Sequence, residues 1–397
     1  MSRVIVIGAG ASGIIAALKA SEKNEVILLD SNEKCGKKIL LTGNGKCNYW
    51  NESIDIDKYQ TDDIQKLNAI LEKQEEVLNF LNQLGIYPKI KNGYYYPYSS
   101  QASSIQTILN RELIKRNINV KYQFRVSNLL IKNNQFIIQS DKEELIGDKV
   151  IVATGSKAFS KTGSDGSGYQ LVQNLGHHIN VVLPSLVPLV GCQVPKWEGI
   201  RCDTNVQLYV NNQKIKEEAG ELQLTEYGVS GICIFNLSGL VSKNLYLKNN
   251  VLLKINFFQE TKDLMSFLEE RNKVLKNVTI EELLESLFSY KLLLIFLQKA
   301  KINRDKKWFE LNEKEKQILI DIIQSYPLQI EGTLSYDRAQ VCTGGVSLEE
   351  VKNTLESNIV HNLYVVGEVL DVDGICGGFN LAFSFITGYI AGSDVND

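Results

Sequence analysis

The chain has 397 residues, 44% of them hydrophobic and 22% charged, with a formal net charge of −3. That length exceeds one ordinary core and predicts two or three domains. The slight acidity excludes a global pull toward nucleic acid or an anionic membrane surface.

No apolar run reaches the length of a membrane span, and residues 1–20 carry no signal-peptide pattern, so a cytoplasmic protein without a membrane partner is expected. Seven widely spaced cysteines with no C-x-x-C suit reduced thiols better than a disulfide framework. Three histidines, His177, His178 and His361, are too few for a metal cluster, and no metal is expected.

Residues 3–7, Arg-Val-Ile-Val-Ile, read as a buried parallel strand. Gly8-Ala9-Gly10-Ala11-Ser12-Gly13 follows, then an Ala- and Ile-rich helix to about Ser21, then a second strand from Glu25 that ends at Asp30 and Ser31. In such a unit Gly8 permits the tight turn, Gly10 admits a pyrophosphate, and Gly13 lets helix and strand pack closely. The helix N-terminus offers free N–H groups to phosphate, and Asp30 can accept from a ribose hydroxyl. Strand, turn, helix, strand and acid in this order predict a dinucleotide site, with FAD and NAD both open at this point.

A loop rich in glycine and lysine comes next: Cys35, Gly36, Lys37, Lys38, then Thr42, Gly43, Asn44, Gly45, Lys46, Cys47 and Asn48. Its amides and lysines could meet a pyrophosphate or flavin, and taken alone it also reads as a solvated loop. The apolar strand from Lys149 ends in Ala153-Thr154-Gly155, where a crevice at the strand carboxyl ends would hold cofactor. His177 and His178 sit just past a helix end and read as a C-terminal feature of that helix. Near the C-terminus another strand ends in Gly367-Glu368, with Asp371 just beyond. Cys376, Gly377, Gly378, Phe379, Asn380 and Leu381 then open a second helix with a glycine-rich start, whose dipole could stabilise a reduced flavin. Two such helix starts far apart in sequence favour a two-nucleotide cofactor, FAD.

Together these motifs resemble the bacterial three-domain NAD(P)/FAD-dependent oxidoreductases, the aminoacetone oxidase-like flavoproteins. The resemblance also rests on Tyr96-Pro-Tyr-Ser-Ser-Gln-Ala102, Gly220-Glu221-Leu222, Thr225 to Gly231, and Thr343-Gly-Gly-Val-Ser347. Asn44 and Lys46 stand where the family loop often has Gly and Arg, and Lys46 lacks the planar fork of arginine. Many members have Thr-His where this chain has Thr225-Glu226, and Pro where it has Ile232.

The resemblance implies an α/β fold: a glutathione-reductase-like FAD-binding domain, an inserted β-barrel-like domain and a small α-helical domain. The corresponding boundaries are 1–187 with 344–397, 188–260 with 326–343, and 261–325. Alternating β-branched runs between about Val187 and Phe258, then helical spacing to about Ser325, agree with this.

The resemblance allows NAD(P)H-driven reduction of a carbon–carbon double bond, including uracil to dihydrouridine in ribosomal RNA, or oxidation of a small amine such as aminoacetone with oxygen. A noncatalytic flavin-binding sensor is a further alternative. The substrate, a small molecule or an RNA base, is expected over the flavin between two domains. NAD(P)H would visit the flavin directly, because no second nucleotide fingerprint is evident. Cys376 and Cys47, inside flavin-site motifs, are candidate proton donors, or else buried packing residues. Lys299, Lys301, Arg304, Lys306, Lys307 and Trp308 combine charge with an aromatic and are the candidate ribosomal RNA contact, or else a solvated face.

Overall fold

Strand β1 (Arg3–Ile7) buries Val4 to Ile7 and leaves Arg3 at the edge. It leads into helix α1 (Ala11–Ala20) and strand β2 (Glu25–Leu29). The computed structural model describes residues 1–397 and divides them into two compact units, 1–185 with 336–397, and 186–335.

In the first unit, further elements are β3 (Trp50–Asn51), β4 (Pro88–Lys91), β5 (Tyr94–Pro97), α2 (Ala102–Lys115), β6 (Asn119–Lys121) and β7 (Lys149–Val152). The C-terminal stretch adds β8 (Leu363–Val365) and helix α3 (Phe379–Asp394). A five-stranded sheet runs in the order β8-β7-β1-β2-β6, with every pairing parallel. Covering on both faces explains why its central strands are nearly pure Val, Ile and Leu. The two chain ends meet backbone to backbone: a Cβ added at Gly388 would lie 2.2 Å from Ser12 O, and one at Gly392 2.5 Å from Ala16 O. The small residues of α3 therefore let it lie directly against α1.

A separate small sheet has β5 in its centre, with β3 on one side and β4 on the other, both antiparallel.

The second unit contains a closed antiparallel barrel of six strands: Leu189–Gly191, Gly228–Gly231, Gln213–Thr225, Arg201–Val210, Val251–Asn256 and Tyr326–Thr333. Helices Leu264–Val274, Ile280–Leu284, Tyr290–Ala300 and Glu313–Gln324 belong to the same unit. The family resemblance implies a helical domain over 261–325. In the structure one hydrophobic cluster unites barrel residues such as Val206, Leu208 and Leu253 with Leu293, Phe296 and Leu319 of the helices. The four short amphipathic helices pack on one another and against the barrel strands, which together complete one core. Val341–Thr343, which the boundaries implied by the resemblance group with the barrel, pairs with Leu183–Ser185 in the first unit.

In the basic run 299–308 the cations Lys299, Lys301, Arg304 and Lys307 are exposed, but the tryptophan is not. Trp308 is 3% exposed, so no base can stack on it. Lys299 sits over the Tyr326 ring at 4.7 Å, Arg304 pairs with Glu281 at 3.3 Å, and Lys306 pairs with Glu315 at 3.1 Å. Lys301 has no ion-pair partner, and Lys307 lies 5.9 Å from the centre of the exposed Phe309 ring. No helix is long and apolar enough to cross a membrane.

Candidate functional site

The glycine-rich turn after β1 is held where backbones touch. Gly8 has φ +105°, and a Cβ there would lie 2.4 Å from Ala153 O. Its N–H donates to Leu29 O at 2.8 Å, tying the turn to β2. A Cβ on Gly13 would lie 1.8 Å from Gly8 O, so helix and turn pack as closely as the fingerprint requires. Gly10 differs, because nothing lies within 4 Å of where its Cβ would be. Gly10 also caps α1 without any side-chain hydrogen bond, and the first turn, from Ala11 and Ser12, holds no acid. Open space beside an uncapped helix N-terminus suits the pyrophosphate of a dinucleotide.

Asp30 is more committed than its motif suggests. Its Oδ2 accepts from Ala9 N at 2.7 Å, and its Oδ1 accepts from Asn32 N at 2.7 Å and Asn32 Nδ2 at 2.9 Å. An ionised carboxylate has about four acceptor sites, so these three bonds leave room for one ribose hydroxyl. Ser31 beside it is exposed.

The loop after β2 meets the C-terminal strand. The Lys38 ammonium lies 2.6 Å from Glu368 Oε2, and Ser156 Oγ donates to the same oxygen at 2.8 Å. Tyr169 OH donates to the Glu368 carbonyl at 3.2 Å. The loops that follow β2, β7 and β8 thus converge at the carboxyl end of the parallel sheet. Lys37 donates to Asn32 Oδ1 at 3.2 Å. Thr42 Oγ1 donates to Ile39 O at 2.6 Å, while Gly43, Asn44 and Gly45 are exposed. Gly367 presses on α1, since a Cβ there would lie 2.5 Å from Ser12 Oγ. Ala153 is buried against Gly8, and a Cβ on Gly155 would lie 2.5 Å from Ser164 Oγ. The Thr154 hydroxyl is buried without a hydrogen-bond partner.

A second convergence surrounds the start of α3. Gly378 caps this helix without a side-chain bond, and its first turn has no acid. A Cβ on Gly378 would lie 2.7 Å from Trp50 O and 2.8 Å from Asn48 Oδ1. Asn51 Nδ2 donates to Gly377 O at 2.8 Å. Asn380 clamps the preceding turn, accepting from Gly374 N and donating to Gly374 O, both at 2.8 Å. Phe379 is buried, edge-on to Tyr59 with ring centres 6.0 Å apart, and Leu381 is half-buried.

Two expected site residues belong to the fold's interior. Asp371 is buried, accepting from Gly344 N at 2.8 Å and Asn180 Nδ2 at 2.9 Å, so its carboxylate fastens two loops and is no free cofactor ligand. Cys47 is fully buried, and burial pushes its thiol up to about 11 despite an opposing hydrogen bond with Thr42. A core thiol that holds its proton so firmly is a poor acid for a substrate. Cys376 is half-buried.

His177 is buried, with Nδ1 2.7 Å from Glu350 Oε2 and Nε2 2.9 Å from Ser357 Oγ, which gives it a structural role.

Two site neighbours escaped the motif reading. Cys342 is 6% exposed, and burial raises its thiol, while a hydrogen bond with Ser156 acts the other way. Its only sequence signal is its place directly before Thr343-Gly-Gly. Tyr94 reaches Gly377, where an added Cβ would lie 3.0 Å from its ring. The tyrosine run around it carries no spacing that marks a site.

Comparison with known proteins agrees with this geometry. The chain matches the family model for the HI0933-like protein Rossmann domain over residues 2–394. It is 37% identical to the 3-dehydro-bile acid delta(4,6)-reductase of Clostridium scindens, over 99% of this chain and 98% of that protein. It is 26% identical to the ribosomal RNA dihydrouridine synthase of Escherichia coli, over 98% of this chain and 97% of that protein. Among solved structures, the 3-ketosteroid-Δ4-(5α)-dehydrogenase from Rhodococcus jostii RHA1 shares the fold, with TM-score 0.52 and 14% identity over 100% of this chain and 97% of that one. The chain belongs to the HI0933-like family of FAD-binding flavin oxidoreductases.

Proposed function

We propose that this flavoenzyme uses NAD(P)H to saturate a carbon–carbon double bond conjugated to a carbonyl group. The observation that carries this reading is the full-length 37% identity to a protein named as a reductase of 3-oxo steroid double bonds at positions 4 and 6. A carbonyl conjugated to an alkene draws electron density from it, so the far alkene carbon accepts hydride and the near carbon then takes a proton.

Bound FAD would relay hydride from the nicotinamide to the alkene, and one further proton completes the net change, NAD(P)H plus H⁺ plus C=C giving NAD(P)⁺ plus CH–CH. The turn Gly8–Gly13 would hold the pyrophosphate over the α1 N-terminus, with Asp30 offering one acceptor site to the ribose. The Lys38–Glu368–Ser156 cluster would set the middle of the cofactor, flanked by the Ala153–Gly155 and Gly43–Asn48 loops. The uncapped start of α3, Gly377–Asn380, would stabilise negative charge at the flavin. Cys376, half-buried and next to Gly377, is the candidate proton donor. Cys47, in the core, is not.

The 26% identity to the ribosomal RNA dihydrouridine synthase supports a second substrate for the same chemistry, because the uracil C5=C6 bond is also conjugated to a carbonyl.

The test is anaerobic mixing of the FAD-loaded protein with NADH or NADPH, followed by a 3-oxo-4,6-diene steroid or by uridine-containing ribosomal RNA. Bleaching by nicotinamide and recovery of the flavin colour by either alkene supports the proposal and selects the substrate. A flavin that nicotinamide leaves unbleached, but that aminoacetone bleaches and air reoxidises with peroxide release, overturns it in favour of an amine oxidase.

A further inference from the structure

The β4–β5 hairpin presents an unusual face. Its antiparallel register sets Lys91 opposite Tyr94 and Lys89 opposite Tyr96, and the Tyr98 N–H donates to Tyr87 O at 2.9 Å one step further out. Directly opposed residues in an antiparallel pair share a face, and the face repeats every second residue. Tyr87, Lys89, Lys91, Tyr94, Tyr96 and Tyr98 therefore lie on one side of the sheet. Tyr95 lies on the other side, packed edge-on against Tyr49 at 6.3 Å, and it is Tyr95 that the Glu52 carboxylate acts on.

The face runs from the interior to solvent. Tyr94 packs against Gly377, directly before the cap of α3. At the far end Tyr87 and Tyr98 are 72% and 67% exposed, with ring centres 5.8 Å apart. Opposite Tyr94 and Tyr96, on the neighbouring strand, Lys91 and Lys89 are exposed, and neither has an ion-pair partner or a ring under its ammonium. The three cross-strand pairs follow one another at about 7 Å. A tyrosine on each rung of one strand, with unpaired lysines beside two of them on the next, offers flat faces and cations together, which suits a ligand that carries both rings and phosphates.

We propose that this face binds the reduced nicotinamide dinucleotide. The nicotinamide lies toward Tyr94 and Gly377, the pyrophosphate meets Lys89 and Lys91, and the adenine stacks on Tyr98 with the tilted Tyr87 ring beside it. The assignment rests on the reductase reading above and supplies the donor site that reading needs. Charge favours a dinucleotide over an RNA strand: two unpaired cations match one pyrophosphate, whereas an RNA strand presents a phosphate at every nucleotide.

The test uses FAD-loaded protein, with ADP-ribose as a non-reducing probe measured by calorimetry and NADH or NADPH measured by anaerobic stopped flow. Lys89→Glu with Lys91→Glu is expected to weaken ADP-ribose binding and the apparent nicotinamide affinity by about tenfold or more, as lost charge-assisted bonds do. Tyr98→Ala is expected to weaken both by about fivefold, as lost base stacking does. The visible flavin spectrum and the melting temperature check that each variant folds. If the wild type is bleached by nicotinamide and the variants show unchanged affinities, the site is wrong while the reductase reading stands. If neither nicotinamide bleaches the wild type, the reductase reading falls and this site falls with it. If the lysine variants keep ADP-ribose binding but lose binding to a polyuridine oligonucleotide, the face belongs to RNA and the proposal is overturned.

Discussion

Lys38 and Glu368 stand 330 residues apart in sequence, yet their side chains meet at 2.6 Å with Ser156 donating to the same carboxylate oxygen. Both side chains are about one-fifth exposed, at 20% and 19%. The pair joins the loop after the second strand to the end of the last strand, the two segments on either side of the proposed cofactor crevice.

Breaking this pair should loosen the crevice. Lys38→Ala or Glu368→Ala leaves a half-buried charge without its partner and is expected to cost about 1–3 kcal/mol. Glu368→Gln keeps an acceptor for Ser156 and should cost less. Thermal unfolding, and the FAD retained through gel filtration, read both effects. Equal losses for the two Glu368 variants would show that the charge carries the whole effect, and no loss for Glu368→Gln would show that the charge is immaterial.

Gly8 tests the turn itself. Gly8→Ala puts a Cβ 2.4 Å from Ala153 O at φ +105°. At least about 1–2 kcal/mol of destabilisation and loss of FAD binding are expected. Gly10→Ala, which meets nothing within 4 Å in the chain itself, should leave the apoprotein as stable as wild type and reduce only FAD affinity. The contrast between apoprotein melting and FAD titration separates folding from cofactor contact.

Alkaline pH should destabilise the first unit. Burial lifts the thiols of Cys35 and Cys47 from 9.0 to about 11. Between those values the unfolded chain releases protons that the folded chain retains, so stability falls as pH rises through the window and is untouched below it. The urea midpoint is expected to fall between about pH 9 and about pH 11, and replacing both cysteines by alanine should flatten that slope.

Trp308 separates packing from recognition. Trp308→Ala should cost about 3–5 kcal/mol through the cavity it leaves in the shared core of barrel and helices. If this run meets no nucleic acid, Lys306→Ala should leave any RNA affinity unchanged, losing only the contact with Glu315. Chemical denaturation measures the first effect and a filter-binding titration with ribosomal RNA fragments the second.

His177 should prove structural. His177→Ala removes both of its side-chain hydrogen bonds and leaves Glu350 and Ser357 each short of a partner, for a loss of about 2–3 kcal/mol. Turnover per FAD-loaded molecule should match wild type, which a catalytic histidine would not permit.

The sequence by itself determined the βαβ start, the uncapped glycine-rich entries to α1 and α3, and the change from strand to helix patterning in the middle of the chain. Those features are local: they follow from hydrophobic period, from glycine where backbones touch, and from the absence of an acid in a first helical turn. Only the tertiary structure decided what long-range pairing controls. It drew Asp371 and Cys47 inward, set three donors on Asp30, buried Trp308 in the core of the second unit, and joined the helices to the barrel in one cluster. It also brought Cys342 to Ser156 and set Tyr94 against Gly377. Residue type states what a side chain can do, but which partner reaches it first is fixed by segments far away in the chain, and burial then determines whether a carboxylate, thiol or ring remains available to a ligand.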